Sequence, residues 1–509
     1  MTLMREARTT TRADRDPRHG TGPGPIAHWL PVVLVVALLA SGVAAYRFEL
    51  GERWFPGLHA DPTTEPAAVP PPAGLDLPDW TTPSPVVAPV GEGRLLDPAR
   101  VAAAVTPGLG DEDLGKHVVA AVGDLEGAGP DWTSGDGSFV PASTTKVLTA
   151  AAVLEALGPD HRFTTSVVRG AGPRDVVLVG GGDPYLASKP ATGSEAATLY
   201  PQRADLVTLA VRTAQAVRNA ASEVGQSPRV RVRFDDSLFA GPTASPGWRE
   251  DYVPDDIVSP ITALMADGGR EEDGFRRYDD PSLGTAQVFA AALQEAGLRV
   301  VGRPQRVQAD PGAAVLASAE SAPLSDVVER VLDVSDNEGA EVLAHHAGLA
   351  IVGEGSFDAG ARATIDVLDS WGVDTSGVVL HDGSGLSRRN LVTATAMLGT
   401  LRRAASDEGE QVRAVITGLP VAGFTGSLAY RFDDAAAVAL GVTRAKTGTL
   451  TGVHSLAGLT TGRDGTPMVF VVAADRVGAT DGLDAQAALD RVAAALARCR
   501  CGSGSGAAG

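Results

Sequence analysis

Near the C-terminus three strand-like runs follow one another over 444–450, 453–460 and 468–474. Short turns at Thr451-Gly452 and 462–465 join them, which reads as an antiparallel meander. A helix pattern over 483–497 comes next, with Ala485, Ala488, Leu489, Val492 and Leu496 on one face. Far upstream, 117–122 reads as a further strand. A second helix begins at Ser143 and carries Val147, Leu148, Ala151, Leu154 and Leu157 at helical spacing to a stop at Gly158-Pro159. Sheet and helix elements therefore come from both ends of one globular stretch, and the chain between must leave it and return. The segment 172–310 has its own strands (176–179, 230–234, 299–301) and helices (204–220, 285–296), and is the expected insertion. The fold class is α/β (α+β): an antiparallel sheet flanked by helices, built from 96–171 and 311–498, plus an inserted accessory domain.

Ahead of this stretch, Arg5, Arg8, Arg12, Arg15 and Arg18 form a basic leader (1–25). An uncharged apolar run from Trp29 to Tyr46 follows, within a segment assigned to 26–46. A positive flank before such a run fits either an uncleaved signal anchor or a cleavable signal peptide, and both place the rest outside the cytoplasm. Residues 47–95 are crowded with proline, which removes backbone donors and favours an extended stalk. The net charge of −19 leaves no basic surface for nucleic acid. With Cys499 and Cys501 the only cysteines, neither a disulfide framework nor a thiolate zinc site can be built. That pair is expected to face solvent at the start of a disordered Gly/Ser/Ala tail (499–509). His345 and His346 lie within a helical run and read as packing or surface residues, and Gly180 to Gly182 as a tight turn; neither metal nor cofactor is indicated.

The chain has only four lysines, Lys116, Lys146, Lys189 and Lys446, among 43 basic residues. Arginine stays protonated, whereas a buried lysine can be neutral, so a site that needs an amine as proton acceptor cannot exchange one for the other. Lys146 follows Ser143 by three residues and shares its helix face. A desolvated amine there can take the hydroxyl proton and make the serine a nucleophile. Lys446-Thr447-Gly448-Thr449 lies on the first meander strand. Its glycine lets a ligand backbone approach, its lysine offers a cation, and its threonines offer hydroxyls to a carboxylate. Ser335-Asp336-Asn337 precedes a helix starting near Glu338, where a hydroxyl and an amide could relay a proton and hold an amide substrate. Taken alone it is also an ordinary helix-capping turn.

Ser-x-x-Lys, Ser-Asp-Asn and Lys-Thr-Gly in this order resemble the signature of penicillin-binding proteins and serine β-lactamases. The Glu341 that follows, the run from His381 to Arg388, Gly180 to Pro184 and Arg233 to Ser237 narrow the resemblance. They look like the low-molecular-mass class C penicillin-binding proteins, the D-alanyl-D-alanine carboxypeptidase/endopeptidase family. That family inserts an accessory domain between the first two motifs, and the resemblance implies a serine β-lactamase/DD-peptidase-like fold. It makes Ser143 the acylated nucleophile and Lys146 its base, with Ser335 as proton relay, Asn337 binding substrate backbone and Lys446 setting the field. Thr447, Gly448, Thr449 and Arg388 would bind substrate, the threonines and Arg388 through its carboxylate. Implied partners are peptidoglycan stem peptides, β-lactam antibiotics and the membrane through the N-terminal helix. A transpeptidase, a β-lactamase and a non-catalytic wall-binding protein remain alternatives at this point.

Overall fold

The computed structural model describes residues 95–503, apart from 225–228 and 433–434. The leader, the apolar run and nearly all of the proline-rich stalk lie outside the described residues. Among those described, no helix is long and apolar enough to cross a membrane.

Helix α1 (Pro98–Leu109) starts with proline at its first position and with Asp97 accepting from the backbone N–H of Ala99 and Arg100. Strands β1 (Val118–Asp124) and β2 (Trp132–Ser134) follow, then helix α2 (Thr145–Leu157), which ends where Gly158 takes φ 82°. The apolar spacing predicted one buried face for α2. Instead every residue from Thr145 to Leu154 is buried, so α2 is a central helix wrapped by others.

The chain then departs into the insertion, a mixed sheet of β3 (Thr164–Arg169), β4 (Asp175–Val179), β5 (Arg229–Asp235) and β6 (Val315–Glu320). β4 pairs antiparallel with β3 and parallel with β5, while β6 pairs antiparallel with β3. Helices α3 (Leu206–Val224) and α4 (Pro281–Glu295) cover it, and Leu178, Val232, Phe234, Leu209, Phe289 and Leu293 form a separate core. The sheet extends past both ends of the expected 172–310 span. Val167 on β3 faces Leu178 on one side and Ala317 on the other, so the outgoing and returning strands belong to the insertion themselves.

On return, α5 (Leu324–Val334), α6 (Asn337–Ile351) and α7 (Phe357–Ser370) pack with α2, and α8 (Ala394–Ala405) lies against the sheet. Strands β7 (Thr443–Leu450), β8 (Val453–Thr461) and β9 (Pro467–Ala474) make the meander, and α9 (Gly482–Arg498) follows. The order is β7–β8–β9–β1–β2, antiparallel throughout. Alternate residues of the strands enter two cores: Val469, Val471 and Ala473 face α2 and α8, while Met468, Phe470 and Val472 face α1 and α9.

The cysteines depart from their expected place. Cys499 and Cys501 are joined in a disulfide, and Cys501 is fully buried. The chain beyond α9 folds back beside α1: Asp97 N–H donates to Cys501 O at 2.8 Å and Ser503 N–H to Leu95 O at 2.7 Å. Ordered structure thus continues to Ser503, into the span read as a tail.

Candidate active site

Ser143 occupies a single 3₁₀ turn (Ala142–Thr144) that feeds into α2. Ala142 is held at φ 49°, a left-handed conformation that a residue with a side chain adopts only under constraint. Two glycines supply the constraint by close approach. A Cβ on Gly385 would overlap the Ala142 carbonyl oxygen, and one on Gly448 would overlap both Pro141 O and Ser455 Oγ. The glycine of Lys446-Thr447-Gly448 therefore lets the strand close onto the serine turn, where the sequence suggested room for a ligand. Ser455, whose Oγ donates to Pro141 O at 2.7 Å, clamps the same turn from β8.

Lys146 is 1% exposed, and its Nζ lies 2.9 Å from Ser143 Oγ, 2.8 Å from Asn337 Oδ1 and 2.7 Å from Ser384 O. A neutral amine has two N–H bonds and one lone pair. Two carbonyl oxygens and one hydroxyl match that inventory, with the lone pair left for the hydroxyl proton. Burial pulls the Lys146 amine down from its usual value while Glu341, Asp382, Asp336 and Glu338 pull it up; burial prevails and leaves it at about 8.

The Ser384 carbonyl is placed by two acids. Glu341 accepts from Gly383 N and Ser384 N, both at 2.8 Å, and burial followed by the nearby Asp382 pushes its carboxyl up to about 8. Asp382 accepts from Gly385 N (2.9 Å), Ser387 N (2.6 Å), Asn390 Nδ2 (2.6 Å) and Trp248 Nε1 (2.8 Å). One carboxylate thus folds the 381–390 loop and ties it to the inserted segment. Neither acid was assigned a role from sequence. Glu341 follows Asn337 by four residues on α6, and that one-turn spacing could have pointed it at the same site.

Ser335 ends α5 in the left-handed conformation at φ 60°, and Asp336 caps α6 by accepting from Gly339 N at 3.0 Å. The capping reading of this motif and its placement of Asn337 against Lys146 both hold in one loop. Lys446 is fully buried, donates to Thr447 O at 3.0 Å, and is held well below the usual lysine range by burial first and by Lys146 second, with Asp333 opposing. β7 is an edge strand. Ala445 N–H donates to Pro420 O and Ala422 N–H to Thr443 O, so the odd-numbered residues direct their backbone groups away from β8. Alternation puts the N–H of Thr449 on that same outer edge, with its side chain exposed. The Thr447 hydroxyl shares a 2.9 Å hydrogen bond with Ser427, a partner the sequence did not reveal. Arg388 is exposed, and its Nη2 donates to Thr451 O at 2.7 Å, just past β7.

His345 and His346 are packing residues. His346 stacks on Phe163 at 4.0 Å and shares a 2.9 Å hydrogen bond with Gly182 O, while His345 packs on Phe239 and Phe357. The contact with His346 also accounts for Gly182, at which a Cβ would collide with that ring. Among the described residues no cluster of His, Cys, Asp and Glu could hold a metal ion.

Comparison with known proteins shows the family and the fold. The model of the D-Ala-D-Ala carboxypeptidase 3 (S13) family matches residues 101–274 and 270–496. Carboxypeptidase DacB of Mycolicibacterium smegmatis is 34% identical over 478 residues, 92% of this chain and 97% of that protein. A D-alanyl-D-alanine carboxypeptidase of Actinomadura is 31% identical over 402 residues, 66% of this chain and 74% of the relative. Among solved structures, penicillin-binding protein 4 (dacB) of Haemophilus influenzae shares the fold with a TM-score of 0.60 at 20% identity, covering 79% of this chain and 98% of that one. The matched residues take in the sheet, the helices around α2 and the insertion, and the chain belongs to the D-Ala-D-Ala carboxypeptidase 3 (S13) family.

Proposed function

We propose that Ser143 is the acylated nucleophile of a D-alanyl-D-alanine carboxypeptidase acting on peptidoglycan stem peptides. As Ser143 Oγ attacks the carbonyl between the two D-alanines, its proton passes to the Lys146 lone pair. The backbone N–H groups of Ser143 and Thr449 receive the oxyanion, each donor being worth a few kcal/mol. The C–N bond breaks, and Ser335 relays the proton from Lys146 to the departing amine. Water then adds to the acyl carbonyl, gives its proton to Lys146, and frees the shortened peptide. Asn337 uses Oδ1 toward Lys146 and has its amide N–H₂ for the substrate backbone. Thr447, Gly448 and Thr449 on the edge strand, with Arg388 beyond it, take the terminal carboxylate, and Lys446 supplies the field. β-Lactams mimic the D-Ala-D-Ala end and acylate the same serine; one solved form of the Haemophilus protein holds a β-lactam.

The observation that carries this reading is the Lys146 amine, buried and lowered to about 8, within 2.9 Å of Ser143 Oγ. D-Alanine release from a D-Ala-D-Ala peptide is expected from the wild type and not from Ser143→Ala, and equal release by the two would overturn it. The family acts outside the cytoplasm. Residues 26–46 provide the export segment, as an anchor or a cleaved signal, which membrane fractionation with N-terminal sequencing distinguishes.

A further inference from the structure

Between β5 and α4 the insertion sends out a long connection, 236–280, that reaches the helices around the catalytic serine. Its Trp248, Val258, Ile261 and Met265 pack with Val342 of α6, Phe357 of α7 and Leu386 of the 381–390 loop in a core of their own, and the Trp248 ring meets Phe357 edge-on at 5.2 Å. Apolar packing fixes where the connection lies. It does not by itself call for the polar contacts that the same few residues make. Ser245 Oγ donates to His381 O at 2.9 Å, and Gly247 comes so close that a Cβ there would stand 2.6 Å from Ser387 Oγ. The buried Trp248 donates its indole N–H to Asp382 Oδ2 at 2.8 Å.

Three of the four donors on Asp382, Gly385 N, Ser387 N and Asn390 Nδ2, belong to its own loop and move with it. The indole is the donor that ties the carboxylate to another part of the chain. Glu341 grips Gly383 N and Ser384 N from α6, so the Ser384 carbonyl is held between two anchors, one on α6 and one on the insertion. That carbonyl accepts from Lys146 Nζ at 2.7 Å. The field at the amine has the same sources. Glu341 and Glu338 of α6, its cap Asp336 and the loop's Asp382 face Lys146 and favour the ammonium, while Lys446 of β7 is the facing cation.

We propose that Trp248 is a positioning residue for acyl transfer: by holding Asp382 it keeps the Ser384 carbonyl on the Lys146 amine and the amine on Ser143, so that the insertion takes part in activating the nucleophile. The inference rests on the acyl-transfer reading above. Without the indole N–H, Asp382 can turn and its loop can shift, and both the carboxylate charge and the Ser384 carbonyl recede from Lys146. Each of these stabilises the ammonium more than the neutral amine. The lysine titration therefore moves to lower pH, while the poorer geometry lowers the rate at every pH.

The test uses the full chain and stopped-flow acylation by a chromogenic cephalosporin in excess, whose first-order rate constant does not depend on how much of the sample is folded. Trp248→Phe keeps a ring against Phe357 and removes the donor. Its rate constant on the alkaline plateau should fall about tenfold, and the dissociation constant of the noncovalent complex should stay within about twofold of the wild type. The acid midpoint should move down by about half a pH unit or more. In an Asp382→Asn background the same change should cost less than about twofold, because the carboxylate through which Trp248 acts is already gone. If the phenylalanine variant does not fold, benzothienylalanine at 248, which keeps the bicyclic shape and puts sulfur in place of N–H, gives the same reading. A plateau that falls with an unmoved midpoint, an effect confined to the dissociation constant, full additivity with Asp382→Asn, or no change at all overturns the assignment. Penicillin labelling separates the two claims. A labelled Ser143 with unchanged kinetics in the Trp248 variants removes the role of Trp248 alone, whereas a wild type that takes no label removes the acyl-transfer reading and that role with it.

Discussion

If Lys146 is the base, acylation must follow its titration, and the structure sets where. A lysine lowered to about 8 is neutral in about 10% of molecules at pH 7, whereas one at the ordinary value of 10.5 is neutral in about 0.03%. Burial therefore raises the reactive population roughly 300-fold, equivalent to about 3 kcal/mol. The reactive form is the deprotonated one, so the rate is lost as pH falls. Stopped-flow acylation by a chromogenic cephalosporin between pH 5.5 and 9.5 should rise about tenfold per pH unit at the acid end and level off above about 8. Lys146→Arg keeps a cation in the same place but cannot release a proton, so its rate should drop by about a thousandfold or more and not recover at pH 9.5. A flat wild-type profile between pH 6 and 8, or an arginine variant within tenfold of the wild type, would refute the assignment.

Gly448→Ala inserts a Cβ where Pro141 O and Ser455 Oγ already stand, so β7 must retreat from the serine turn. Acylation should fall by about a hundredfold or more while far-UV circular dichroism stays native; undiminished acylation would show that the strand and turn need not touch. Burial, aided by His161 and His345 and opposed by the Gly182 hydrogen bond, lowers His346 from 6.5 to about 4. Between those values the unfolded chain binds the extra proton, so stability is lost as pH falls, by up to ~3 kcal/mol for this residue. Urea midpoints taken from pH 7 to 4.5 should decline less steeply in His346→Gln than in the wild type, and parallel curves would exclude this histidine as a source of acid sensitivity.

Much of the architecture was legible because local and global signals agreed. The meander strands, α2 with its glycine stop, α9 and the main helices of the insertion all lie within a few residues of their expected spans. The insertion's outer strands were missed because β3 and β6 acquire their meaning from pairing with each other, a contact between residues about 150 apart in sequence. Within the site, Ser143, Lys146 and Asn337 come together as their motifs suggested. The Ser384 carbonyl and the acids that aim it were hidden, because a backbone acceptor has no residue signature and Asp382 acts through four donors that only folding assembles. The cysteine pair misled for a similar reason. Small spacing at a chain end reads as tail, and only its pairing beside α1 shows it buried.

The central claim is that one serine is activated by a buried amine one helical turn away. Intact-protein mass spectrometry after penicillin treatment, followed by peptide mapping, tests it most directly. One penicilloyl adduct per chain is expected, on the peptide that contains Ser143, absent from Ser143→Ala and slow to hydrolyse, because Glu341 is fully buried and turned to the backbone N–H groups of Gly383 and Ser384, away from any water at the acyl group. No adduct at all, or an adduct on a different serine, would contradict the account.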